Sequence, residues 1–353
     1  GMDLLHFKVR IKPEHMGMFT SFIGNINMYT GLLSVYLGTA CLLWVSCPNK
    51  LRSIWYYVNV WVIFIALITG RSDNAYLSLA AAFTFIPIYA FRTRQGIRRY
   101  VVLLATFLTS LKVIEWISIT YADRVYRINS LYTSLVSFSK LILLIKVLWI
   151  IAIILYLIDF ISKKADATVS PWFSRIWIGL IVIGFAAFLY VLYDVNIAGN
   201  ADQYGSAKSF LLFNDSWGTH RGVIWRLAIE DYQDFTPLHK LFGYGPDTFG
   251  LVTYYHNMDI MSNVYHQIFD SAHNEYLQFF ITVGPIGLLS YLAIFVTAFI
   301  RIIKKGCQNP YVIAAMFGVL CYSAQATVNI GTPITIPIMF LFLSMALAGC
   351  REA

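Results

Sequence analysis

The chain has 353 residues, 58% of them hydrophobic and only 12% charged, with a mean hydropathy of +0.65. So few charges exclude an ordinary soluble globule, and the 16% aromatic content suits a chain that meets membrane–water interfaces. The net charge of +8 is spread over short connections, which argues for orientation in a bilayer and against nucleic acid as a partner.

In chain order, residues 1–27 read as a polar N-terminal segment in which no cleavable signal peptide is expected. Apolar stretches long enough to cross a hydrocarbon core as helices follow at 28–46, 53–69, 75–91, 100–121, 141–161, 174–193, 276–301, 311–328 and 334–350. In lipid a spanning segment must satisfy its own backbone, and the alternating ten-residue pattern of a barrel strand is absent. The expected fold is an all-α polytopic transmembrane bundle. It has six spans in 28–193, a large loop in 194–275 and three spans in 276–353.

Orientation follows from lysine and arginine in the short connections. One set holds Lys50, Arg52, Arg92, Arg94, Arg98, Arg99, Lys163, Lys164, Arg175, Arg301, Lys304, Lys305 and Arg351; the opposite set holds Arg71, Arg124, Arg127 and Lys140. The bias places the first set and the C-terminus in the cytoplasm, and residues 1–27 and 194–275 outside it. An odd number of missing N-terminal helices would restore the usual inside start. The cysteines (Cys41, Cys47, Cys307, Cys321, Cys350) lie in apolar runs or on short basic connections, so no disulfide framework is expected.

Polar chemistry is concentrated in 194–275, which carries five of the seven histidines and ten of the eighteen acids. Within it, 219–235 places Ile224, Leu227 and Ala228 at helical spacing and reads as an amphipathic helix on the membrane surface, with Asp215, Ser216 or Thr219 placed to cap it. The turn Leu241–Gly250 is punctuated by glycine and proline and superficially resembles a phosphate-cradling loop, without the strand–helix frame such a loop needs. His273, just before span seven, is a candidate general base, or else a structural histidine bonded to a loop carbonyl. Arg221 opens the amphipathic helix, where a guanidinium beside free N–H groups favours phosphate; a snorkelling interfacial arginine is the bland alternative. Arg226 points to a different face and suits lipid head groups. Arg71, in the turn between spans two and three, either meets a diphosphate or pairs with Asp73. Lys112 and Glu115 at i, i+3 explain each other as an ion pair. His256, His266 and His273 are ten and seven residues apart and HExxH is missing, so no metal site is expected.

Several ordered pieces resemble the O-antigen ligase and polymerase superfamily of bacterial envelope polysaccharide enzymes. They are His273-Asn274 leading through Gly284-x-x-Gly287 into a span, the helix start Arg221-Gly-Val-Ile-Trp225, the turn Gly243-Tyr-Gly-Pro-Asp-Thr-Phe249, and Thr69-Gly70-Arg71-Ser72, where family members usually read Ser-Arg. The resemblance implies a glycosyltransferase in the bacterial cytoplasmic membrane. It would move a glycan from a polyprenyl-diphosphate carrier to an acceptor hydroxyl on a glycan or lipid, with no cofactor or metal. It implies three catalytic residues: His273 as base, and Arg221 and Arg71 holding the departing diphosphate. Substrate contacts are expected from Asn274, Glu275, Trp225, Arg226, Tyr244 and Asp247. A transporter or flippase for lipid-linked glycans is the alternative, although such folds usually carry inverted repeats and midplane polar groups, neither evident here.

Overall fold

The structure, a computed structural model, describes residues 23–305 except 124, 126, 127, 129 and 163–166, and residues 309–350. Most of the N-terminal segment, Arg124, Arg127, Lys163, Lys164, Cys307 and Arg351 therefore lie outside the described residues. What is described is helical, with no β-strand; two residues, Thr93 and Thr168, form an isolated bridge.

The helices are α1 (Ile26–Ser46), α2 (Lys50–Thr69), α3 (Asn74–Ala90), α4 (Arg94–Thr120), α5 (Ser130–Val136), α6 (Leu141–Ser162), α7 (Trp172–Asn196), α8 (Lys208–Leu211), α9 (Trp217–Gln233), α10 (Pro237–Phe242), α11 (Phe249–Asp259), α12 (Glu275–Thr282), α13 (Gly284–Lys305), α14 (Pro310–Gln325) and α15 (Thr335–Gly349). Among the described residues seven helices are long and apolar enough to cross a membrane, which makes this a membrane protein. They are α1, α2, α4, α6, α7, α13, and α14 extended by the 3₁₀ turn Ala326–Val328. The other two expected spans are α3 and α15. At 17 and 15 residues they reach about 26 and 22 Å, short of a hydrocarbon core of about 30 Å.

The expected span 276–301 is broken. Thr282 ends α12, and Gly284 at φ 71° turns the chain into α13, which has Pro285 in its first turn. Proline's fixed φ and missing N–H suit a helix start, so the interruption falls where the residue types allow it. A Cβ on Gly284 would sit 2.1 Å from the Leu241 carbonyl oxygen, and one on Gly243 would sit 2.1 Å from that of Thr282. Gly245 N–H also donates to the Thr282 carbonyl at 2.8 Å. The glycine-rich turn after α10 is thus a clasp on the α12–α13 break, not a phosphate cradle.

The chain divides into two compact units. The first comprises residues 1–177, 299–325 and 332–353. At its centre α1 packs on α2, α3 and α14, so closely that a Cβ on Gly38 would collide with the Phe317 carbonyl and one on Gly318 with that of Val35. A buried polar seam runs through it: Thr30 Oγ1 bonds Asn74 Oδ1 at 2.7 Å, and Ser78 Oγ bonds Ser34 Oγ at 2.6 Å and the Cys321 carbonyl at 3.0 Å. Lys112 pairs with Glu115 at 2.6 Å as expected. The four described cysteines are free.

The second unit comprises residues 178–298 and 326–331. Its core gathers Val223, Ile224, Leu227 and Ala228 of α9 with Phe249 and Val252 of α11, Met261, Phe269, Ala272 and Ile281. The apolar face of α9 was expected to lie on a membrane surface. Instead it is buried in this small core, which can form because α11 and α12 supply the complementary apolar faces. Ser216 stands at the N-cap of α9 without a side-chain cap bond, and the Asp215 carboxylate is taken by Arg226, while Thr219 lies within the left-handed first turn of the helix.

Candidate functional site

Among the described residues six non-glycine residues adopt positive φ: Arg71, Thr219, His220, Asp247, His266 and His273. Five of the six lie in the second unit and three of the six are expected site residues. For L residues this region is sparsely populated and persists only where surroundings enforce it, and such positions gather at functional sites.

His273 (φ 47°) is held on both sides. The preceding carbonyl, that of Ala272, accepts from Trp225 Nε1 at 2.8 Å, and the Ala272 N–H donates to Gln278 Oε1 at 2.8 Å. On the other side Asn274 caps α12, its Oδ1 accepting from the N–H groups of Tyr276 and Leu277 at 3.1 Å each. The His273 side chain is half-buried, and its Nδ1 is buried with no hydrogen-bond partner. The structural alternative, a histidine satisfied through Nδ1 by a loop carbonyl, is therefore not what the geometry presents. Burial pushes the imidazole pKa below its ordinary value, the nearby Arg221 guanidinium pushes it further down, and the Asp270 carboxylate partly offsets both. A neutral imidazole results, which is the form that accepts a proton.

Arg221 follows three successive left-handed residues, Gly218, Thr219 and His220, so the regular part of α9 starts at Arg221 itself. Its Nη1 donates to the Gly218 carbonyl at 2.5 Å and its Nε to the Val328 carbonyl at 3.0 Å. The left-handed turn and the 326–331 segment thus supply carbonyls that aim the guanidinium. Neither carbonyl was readable from side-chain patterns, since both are backbone. Sequence reasoning also passed over His220, whose Nδ1 is buried without a partner and whose ring meets Tyr265 edge-on at 5.2 Å. Its adjacency to Arg221 was the available signal.

The remaining expected residues fall in different surroundings. Trp225 positions the His273 segment as described and packs on Trp217 at 5.2 Å. Glu275 is buried and accepts from the Tyr291 hydroxyl of α13, whose ring stacks on Phe279 at 4.3 Å. Arg226 forks onto Asp215 at 2.8 and 2.9 Å and reaches Glu230 at 3.0 Å, so two exposed carboxylates neutralise it. Tyr244 stacks on His239 at 3.9 Å and meets Phe235 edge-on at 4.8 Å, inside the clasp. Asp247 is exposed, at φ 61°, two residues before α11. The structure therefore brings together His273, Arg221, Trp225 and Asn274, with Asp270 near the imidazole. Arg71 belongs to the first unit, half-buried at φ 58° in the α2–α3 turn, and the described ion pairs include none between it and Asp73.

Among the described residues no three His, Cys, Asp or Glu side chains are grouped closely enough to hold a metal ion. His256 lies 3.9 Å from Asp231, but its Nδ1 is 3.0 Å from the Val252 carbonyl of its own helix. Comparison with family models, curated proteins and solved structures finds no match to this chain.

Proposed function

We propose that the chain is a membrane glycosyltransferase resembling the O-antigen ligases and polymerases. It would take a glycan from a polyprenyl-diphosphate carrier and pass it to an acceptor hydroxyl at the outer face of a bacterial cytoplasmic membrane. The observation that carries this reading is the His273 imidazole, its Nδ1 buried without a partner, near an Arg221 guanidinium held by two backbone carbonyls. In the proposed reaction His273 takes the proton from the acceptor hydroxyl as its oxygen attacks the anomeric carbon. The bond from that carbon to the diphosphate oxygen breaks, and the electron pair leaves with the diphosphate, inverting the anomeric centre. Arg221 stabilises the charge developing on that leaving group, and fixed guanidinium groups act strongly where water is excluded. Arg71 is proposed as a second diphosphate contact on the motif resemblance alone.

The test is transfer from a lipid-linked glycan in proteoliposomes, run beside a transport assay on the same vesicles. His273→Ala should lower transfer by about 10²–10⁴-fold, the usual worth of a general base, while donor binding persists. Arg221→Gln removes a cation that depresses the His273 pKa. The imidazole of that variant should protonate at higher pH, moving the acid limb of the rate profile upward. Undiminished transfer in His273→Ala, or transport without transfer in the unaltered chain, would remove the reading.

A further inference from the structure

We propose that a groove between α4 and α6 holds one anionic phospholipid, with its phosphate at the arginine-rich start of α4 and one acyl chain along α6. The helices run antiparallel: Arg94 Nη1 bonds Ser162 Oγ at 3.1 Å, and Trp149 Nε1 bonds Thr109 Oγ1 at 3.1 Å. Between these ties lies a cavity of about 370 Å³ lined by Val102, Trp149, Ala152, Ile153, Tyr156 and Phe160. Its floor, Ala152, is buried, whereas Ile153 is 56% and Phe160 81% exposed, so the groove opens sideways onto whatever surrounds the helix.

Its length identifies the occupant. Eleven residues separate Trp149 from Phe160, a rise of about 16 Å, which matches half of a hydrocarbon core about 30 Å thick. An acyl chain of a bilayer phospholipid covers one such half; a polyprenyl tail, several times longer, overruns it.

Charge identifies the head group. In 89–102 and 149–162 the chain has four guanidinium groups, Arg92, Arg94, Arg98 and Arg99, against one carboxylate, Asp159. Arg98 is buried with Nη1 2.5 Å from Asp159 and its guanidinium 4.1 Å above the ring of Tyr156, a wall of the groove. Its Nε is buried without a hydrogen-bond partner, so the carboxylate alone does not satisfy this group. Arg94 stands 3.7 Å from the same carboxylate and is 37% exposed; Arg92 is exposed beside Tyr89. One carboxylate cannot balance these cations, and a phosphate carried in by a lipid adds the missing negative charge where basic residues meet a membrane surface. The site lies wholly in the first unit and stands or falls independently of the glycosyl-transfer reading.

The full chain, reconstituted with equal phosphatidylglycerol and phosphatidylcholine and released into native mass spectrometry, should retain one phosphatidylglycerol in preference to phosphatidylcholine. Arg92→Gln with Arg94→Gln should weaken that retention by about 30-fold, the effect of two basic residues at an anionic surface. Arg92→Lys with Arg94→Lys should keep most of it, showing that charge rather than lost folding is responsible. Ile153→Trp, which fills an exposed wall of the groove, should lose the lipid with helicity unchanged. Equal retention of the two phospholipids, unaltered retention in the glutamine variant, or displacement by equimolar polyprenyl phosphate would overturn the assignment.

Discussion

Gly243→Ala tests whether the clasp on the α12–α13 break holds the site in place. The added methyl would lie 2.1 Å from the Thr282 carbonyl oxygen and 2.3 Å from its carbon, where ordinary contact begins near 3.4 Å. Backbone would have to retreat by more than 1 Å from a partner that also accepts from Gly245 N–H. Gly243 further sits at φ 66°, ψ −163°, a region used almost only by glycine. The conformational penalty is about 1–3 kcal/mol and the overpacking another 1–3 kcal/mol, for a total loss of about 2–6 kcal/mol. Gly205→Ala separates the two terms. Its φ is also positive, at 51°, but a Cβ there meets nothing within 4 Å, so only the conformational part applies. Unfolding in detergent micelles, followed by tryptophan fluorescence, measures both variants. Transfer activity should fall with stability in Gly243→Ala, because Thr282 ends the helix that Asn274 starts, about 10 Å along the axis from Glu275. If Gly243→Ala proves no more destabilising than Gly205→Ala, the clasp is not what closes this break.

Asn274→Ala should cost about 1 kcal/mol by removing the α12 cap, while Asn274→Asp, which still accepts from the two N–H groups, should restore stability and most of the transfer activity. Asp231 is buried and its carboxyl is pushed above the usual range by that burial, against the amide of Asn257 and the nearby His256; Glu230 and Asp234 push the same way as burial. Its proton is held more tightly in the folded state. The stabilisation is therefore complete below the unfolded pKa and is lost as pH rises through the folded one. Asp231→Asn should flatten that decline in a pH series of unfolding midpoints, and an unchanged slope would refute it.

Hydropathy made most of the membrane helices legible, because a 20-residue apolar run has few other fates. The α12–α13 break was written in Gly284-Pro285, yet apolar residues on both sides hide it from any window average. The length of α3 and α15 was similarly masked, since apolar residues continue into their turns. In the second unit Ile224, Leu227 and Ala228 marked the inner face of α9. Their partners Phe249, Met261 and Phe269 come from segments with no clear period, one of them a π-helix over 260–265. His273 and Arg221 stood out by residue type and place. What aims them did not, because the carbonyls of Gly218, Ala272 and Val328 carry no side-chain signature. The neutralisation of Arg226 was equally hidden, as it depends on a fold-back of Asp215 from eleven positions away.

The polar seam of α1 bears on how the chain is made. Gly38 and Val35 meet α14, whose first residue leaves the ribosome about 260 residues after Ser46, a delay of about 13–50 s at ordinary synthesis rates. Through that interval α1 has to wait in lipid without its final neighbour. It can do so because Thr30, Ser34 and Thr39 can donate back to the carbonyls of Ile26, Thr30 and Val35 in their own helix, so these three hydroxyls need no partner from a later segment to stay in the bilayer.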